Sequence, residues 1–204
     1  MTVAAPARRD AQRNRSALVA AAQAVLARDP HASIDAIARS AGLSRRAVYG
    51  HFADREALIH ELILSGAERF NVLAAETSAD TSAPLALARL TARLWDEAAE
   101  VQVAAALALD DAHVAHTAAS LAPLRRRVMT IVRAGQDAGE LRTDIAPPTL
   151  ARLIEEAART VITRLDATSV LARSLAVRTV LSIAGLSWRE SVELLEAHPE
   201  LVSE

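Results

Sequence analysis

The chain has 204 residues, 51% of them hydrophobic but only 2% aromatic, a formal net charge of −2 and no cysteine. That length fits one large domain or two small ones with a sizeable core, and an alanine-rich, leucine-rich interior suits packed helices better than sheets; the expected fold is all-α. Without cysteine there are no disulfides, thiolate nucleophiles or thiolate metal centres, which fits a reducing compartment such as the cytoplasm.

Residues 1–10, MTVAAPARRD, lack the apolar stretch of a signal peptide, and the apolar run 101–109 ends at Asp110, short of the roughly 18 residues needed to cross a bilayer. No membrane partner is expected. All 23 basic residues are arginine. Up to residue 55 nine arginines face four acids, a balance of +5, whereas the remainder carries −7. The near-neutral total thus conceals a dipolar chain whose basic part predicts an anionic partner.

In chain order, residues 1–10 read as a flexible arm. Leu18, Ala21, Ala22, Val25 and Leu26 recur at helical spacing, and Asp29-Pro30 stops that first helix because a residue before proline avoids helical angles. Ser33 is placed to cap a short second helix through Ser40, and Gly42 to end it in a left-handed conformation. Ser44 caps a third helix to about Phe52, and Asp54 a fourth from Arg55 to about Ala75. Beyond a polar loop, helices are predicted at 84–99, 100–110, 113–138, 148–166, 168–184 and 188–197, with Pro84, Gly135, Gly139 and Pro147-Pro148 marking boundaries. The peptide Ala41-Gly42-Leu43-Ser44 has an echo in Ala184-Gly185-Leu186-Ser187, read as shared turn chemistry.

Two short helices joined by a four-residue link containing glycine describe a helix-turn-helix, whose second helix enters the major groove of DNA. Its outward face shows Ser44, Arg45, Arg46, Tyr49 and His51. Arginines early on an inserted helix reach guanine O6 and N7 with two hydrogen bonds, and a tyrosine hydroxyl or histidine further along holds phosphates. The bland alternative is a solvated arginine pair beside a core tyrosine. The basic residues Arg8, Arg9, Arg13 and Arg15 either add phosphate contacts or belong to a disordered tail.

Residues 33–58, SIDAIARSAGLSRRAVYGHFADREAL, resemble the DNA-binding signature of the TetR family of bacterial repressors through Ile37-Ala38, Ala41-Gly42-Leu43-Ser44, Tyr49-Gly50-His51-Phe52 and Arg55-Glu56-Ala57-Leu58. The match covers about the first quarter of the chain. It implies a flexible arm at 1–10, a three-helix DNA-binding domain at 11–55, and a larger helical effector-binding and dimerisation domain at 56–204. It also implies DNA contacts from Ser33, Ser44, Arg45, Arg46, Ala47, Tyr49, Gly50, His51 and Arg55. Gly50 departs from the larger polar residue frequent there, which shifts base reading towards Arg45 and Arg46; Ala47 is able to touch a thymine methyl.

The resemblance further implies a homodimer on double-stranded DNA with an inverted-repeat operator, and a small, mostly apolar effector of unknown identity. Candidate effector residues are Leu94, Trp95, Gln102, His113, His116 and Met129 within a broader apolar set that includes Leu90, Ala98, Leu107, Leu124, Val128 and Val132. The two long helices at 148–166 and 168–184 are expected to pair with their twins through Leu153, Ala157, Val161, Leu171, Leu175 and Leu181, although an internal core accounts for some of these. Asp110, Asp111, His113 and His116 could share an ion, but a polar turn explains them as well, and no metal or other cofactor is expected. No glycine-rich phosphate loop, nucleophile elbow or motif-linked catalytic histidine is present, so no enzymatic activity is expected. An activator or corepressor-dependent regulator shares every one of these features. A helical small-molecule-binding protein with a vestigial helix-turn-helix is the reading from outside transcription.

Overall fold

The structure is a computed structural model that describes residues 4–29, 31–77, 81–100, 114–164 and 171–202. Among them there are ten α-helices and no strand: α1 (Ala4–Leu26), α2 (Ile34–Ser40), α3 (Arg45–His51), α4 (Arg55–Ala75), α5 (Ala83–Glu100), α6 (Val114–Ser120), α7 (Ala122–Asp137), α8 (Pro147–Arg164), α9 (Ala172–Ala184) and α10 (Trp188–Ala197), followed by a 3-10 turn at Pro199–Leu201. The predicted helix at 100–110 lies outside the described residues. The chain forms two compact units, residues 1–66 with 101–117, and residues 67–100 with 118–204.

In the first unit Leu18, Ala22 and Leu26 of α1, Ile37 and Ala38 of α2, Val48 of α3, Phe52, and Leu58 and Leu62 of α4 make one core. Because Leu58 and Leu62 belong to it, the packed unit runs to Gly66 and does not end at Arg55. α1 begins at Ala4, inside the stretch read as a flexible arm. The segment is alanine-rich, and Pro6 falls in the first turn, where its missing N–H forfeits no helical bond.

In the second unit α9 packs between α5 and α8, and α8 packs on α7 as well. Leu87, Leu90, Leu94, Val128, Ile131, Val132, Leu150, Ile154 and Val180 fill the main core. The single helix predicted at 113–138 is broken at Leu121, because Pro123 lacks an N–H and its ring would collide with the carbonyl four residues back. Asn71 of α4 clasps the break: its amide nitrogen donates to Ser120 O at 2.9 Å and its amide oxygen accepts from Leu124 N at 3.1 Å. Two orphaned helix-end groups are satisfied by one side chain. Nearby, Arg125 Nε donates to Glu155 Oε2 at 3.0 Å. Burial nevertheless raises the Glu155 pKa, outweighing the attraction of Arg125.

The echoed peptides adopt the same turn. Gly42 (φ +66°) and Gly185 (φ +115°) are both left-handed; Leu43 N donates to Ala38 O and Leu186 N to Leu181 O, and Ser44 and Ser187 cap the helices that follow. The pattern is a helix stop followed directly by a helix start.

A methyl at Gly42 meets open space, whereas one at Gly185 would lie 2.7 Å from Arg142 Cβ and 3.0 Å from its backbone nitrogen. Gly42→Ala is therefore expected to cost about 1 kcal/mol and Gly185→Ala about 2 to 3 kcal/mol, measured as separate shifts of urea midpoint at constant slope. For Glu155, a folded pKa above the unfolded one means that stability is highest while the group is protonated and falls as pH rises through the folded value. Glu155→Gln should thus gain stability relative to wild type between acid and neutral pH; a flat difference in chemical-denaturation curves across that range would contradict it.

Candidate nucleic-acid interface

The site is built on a helix of seven residues, α3, whose inner side is fixed by Val48, wholly buried, and by Phe52 at its end. Ser44 Oγ accepts from Ala47 N at 3.1 Å, capping the helix. On α2 the matching cap is Ser33, whose Oγ accepts from Ala36 N at 3.3 Å. With Val48 inward, helical spacing turns Arg45, Arg46 and Tyr49 outward, and all three are exposed. Ser33, Ser44 and Gly50 are exposed too, and Ala47, His51 and Arg55 are half-buried. Tyr49 is thus an outward residue and not part of the core.

The arginines of this region are held differently. Arg45 Nη1 donates to Asp35 Oδ2 of α2 at 2.9 Å, its Nη2 donates to the Tyr49 hydroxyl at 3.4 Å, and its Cζ lies 5.5 Å from the Tyr49 ring centre. The Tyr49 hydrogen bond, then the Asp35 charge, raise its pKa above the ordinary arginine value, so it stays charged at any working pH. Arg46, next to it, is exposed. Arg55 Nε donates to Ala32 O at 3.3 Å, which tethers the start of α4 to the loop before α2.

Arg15 corrects the expectation of a solvent-facing basic arm. Its Nε and Nη2 reach Glu61 Oε1 and Oε2 of α4 at 3.1 and 2.9 Å, and its Nη1 donates to His51 O at 3.1 Å. Its Cζ lies 4.5 Å from the Phe52 ring centre. It therefore ties α1, the end of α3 and α4 together. The signal was in the sequence, since Arg15, Leu18, Ala22 and Leu26 share one helical stripe; the charge of Arg15 disguised it. No comparable signal marks Asp35, ten residues from its partner.

In the second unit the candidate residues are distributed otherwise than predicted. Leu94 lies in the main core with Met129 at its margin, and Trp95 is packed with Val161, Ala172 and Ala176. Gln102 and His113, and the side chain of His116, lie outside the described residues. A cleft of about 200 Å³ opens elsewhere, lined by Thr81, Ala83, Ala86, Arg127, Thr130, Ile131, Ala134, Ala138 and Glu140, none of them predicted. Of the expected dimer residues, Leu153, Leu171 and Leu175 are exposed and Ala157 is half-buried. Leu181 is instead wholly buried with Ala88, Ala92, Val177 and Leu195, and Val161 is covered by Trp95. Both fall on the inward side of their helices, where the unit's own core consumes them. Among the described residues no group of three or more histidine, aspartate or glutamate side chains is placed to hold a metal ion, and no helix is long and apolar enough to cross a membrane.

Residues 17–62 match the family described as bacterial regulatory proteins, tetR family. No curated protein matches the sequence. Among solved structures, the fold is shared with a tetR-family regulatory protein from Rhodococcus RHA1 (22% identity, TM-score 0.71, covering 85% of this chain and 98% of that one). It is shared too with the TetR family transcriptional regulator PfmR from Thermus thermophilus (18%, 0.71, 83% and 98%). A third is LfrR from Mycobacterium smegmatis, solved in complex with proflavine (18%, 0.61, 85% and 96%).

Structural and reading arginines should separate on substitution. Arg15→Met keeps the apolar stem but removes three charge-assisted hydrogen bonds and is expected to destabilise the protein by about 1 to 2 kcal/mol. Arg46→Ala should leave stability within about 0.5 kcal/mol while weakening DNA binding. Urea melts of the two variants beside fluorescence anisotropy on duplex DNA would check both.

Proposed function

We propose that this chain, whose residues 17–62 match the tetR family of bacterial regulatory proteins, is a DNA-binding transcriptional regulator that acts as a cytoplasmic, ligand-responsive repressor. In this reading a homodimer binds an inverted-repeat operator through two copies of α3. The carrying observation is that Arg45, Arg46 and Tyr49 all stand exposed on one side of a helix whose other side is buried. Arginine pairs there suit guanine edges, and Ser33, Ser44, His51 and Arg55 suit the flanking phosphates.

A single seven-residue helix reads few base pairs, so useful specificity needs two of them. Leu153 on α8, Leu171 just before α9 and Leu175 on α9 are large apolar side chains left exposed, and Ala157, one turn from Leu153, is half-buried. Thr160 and Thr179 turn their hydroxyls back onto Glu156 O and Leu175 O, so these positions do not demand water. Such a surface supports pairing with a second copy.

For the effector we retain Leu94, Trp95 and Met129 together with Gln102, His113 and His116, and LfrR with proflavine supports a small organic molecule. Leu94 and Trp95 are packed against protein, so a ligand at these positions replaces side-chain contacts and reshapes the second unit. α4 is one of three places where the chain passes between the two units, with residues 55–66 in the first unit and 67–75 in the second. An effector that releases DNA must bind the DNA-free form more tightly, by the same factor by which it weakens DNA binding.

Binding of the purified chain to DNA from its own upstream region should fall about 10³-fold between 50 and 200 mM salt, as expected of about six phosphate contacts. Leu175→Arg should give a monomer by analytical ultracentrifugation and abolish operator binding. A salt-independent association, or a monomeric variant that binds as tightly as wild type, would contradict this reading; tightening of the DNA complex by an effector would make the chain a corepressor-dependent regulator instead.

A further inference from the structure

We propose that Asp35 is a specificity-determining residue: together with the Tyr49 hydroxyl and ring it sets the Arg45 guanidinium in the orientation that reads a base, while Arg46 remains adaptable. The inference rests on the DNA-reading role of α3 argued above.

A carboxylate on the face that meets DNA repels phosphates, so Asp35 needs a compensating reason for its place beside the recognition helix. Its Oδ2 accepts from Arg45 Nη1 at 2.9 Å. Its Oδ1 is covered and, among the described residues, has no hydrogen-bond partner. Arg45 is accordingly what offsets this charge. From the other side the Tyr49 hydroxyl accepts from Arg45 Nη2 at 3.4 Å, and the Tyr49 ring lies under the guanidinium.

An arginine bracketed in this way has lost part of its rotamer freedom before DNA arrives, so less is lost on binding. The bracket does not consume it. Of five N–H donors, one goes to Asp35 and one to Tyr49, which leaves three, and a guanine takes two on O6 and N7. Asp35 and Arg45 are ten residues apart, joined across the α2–α3 turn, so the orientation is inherited from the helix pair and not from α3 alone. Among the described residues Arg46 has no such bracket, and its exposed side chain is left to adjust to whatever lies before it. The two adjacent arginines thereby divide the work: Arg45 discriminates from a fixed orientation, and Arg46 adjusts to the base before it and discriminates less sharply.

The distinguishing signature is two opposite changes in one variant. Removing the Asp35 charge should strengthen binding to arbitrary DNA while weakening preference. With the duplex that the wild-type chain enriches from a random pool, Asp35→Asn is expected to bind a scrambled duplex about three- to tenfold tighter. Its preference for the enriched duplex should fall about tenfold, and the lost preference should map to the same base pair at which Arg45→Ala becomes indifferent. Tyr49→Phe, which keeps the ring and removes the acceptor, should lose preference at that base pair by a smaller factor, and it carries the test if Asp35→Asn does not fold as judged by thermal melting.

An unchanged preference in the folded variants, or a loss spread evenly over all base pairs, would overturn the inference while leaving the DNA-binding role intact. A wild-type chain that enriches no sequence would overturn the DNA-reading role and this inference together.

Discussion

The first unit of this protein depends on the burial of Val48. A helix of seven residues has too few internal hydrogen bonds to persist alone, and α3 exists because Val48 and Phe52 join the core of Leu18, Ile37, Leu58 and Leu62. Once that side is fixed, the rest of α3 has one arrangement, with the arginines and Tyr49 turned out. The left-handed Gly42 and the bond from Leu43 N to Ala38 O set the angle at which α2 delivers the chain into it. Ala38, almost completely buried, lets the helices of this core approach closely.

Charge of one kind serves several ends here. The basic excess of the first 55 residues is not all free to meet an anionic partner, because Arg15 is held by Glu61, His51 O and Phe52, and Arg55 leans on Ala32 O. Arg45 is held but presented, and Arg46 is presented without a bracket. Guanidinium is suited to all of these roles because it is planar, always charged and rich in donors. Which role an arginine plays is decided by the groups that immediately surround it, and net charge alone cannot sort them.

The second unit shows the same division between apolar residues. α8 and α9 are richer in leucine and alanine than one core needs, and the surplus divides by helix face. Leu150, Ile154, Val180 and Leu181 fill the interior, whereas Leu153, Leu171 and Leu175 stay at the surface. The Asn71 clasp on the α6–α7 break ties the carboxy-terminal end of α4 to the helices around it, so α4 is anchored in this unit by polar bonds as well as by Ala74 in the core.

By itself the sequence determined the helical class, the helix-turn-helix with its caps and glycine turn, and the outward set of Arg45, Arg46 and Tyr49, because these rest on local rules: periodicity, a serine before a helix, a glycine after one. It also carried the family signature at residues 33–58. Only the tertiary structure decided that Arg15 is a clamp, that Asp35 brackets Arg45, that Leu181 and Val161 lie inside, and that the helix expected at 113–138 is broken and held by Asn71. Each of these joins residues far apart in the chain or chooses between helix faces of similar composition. Packing settles such choices globally, since a side chain's surroundings depend on every element that reaches it and not on its neighbours in sequence.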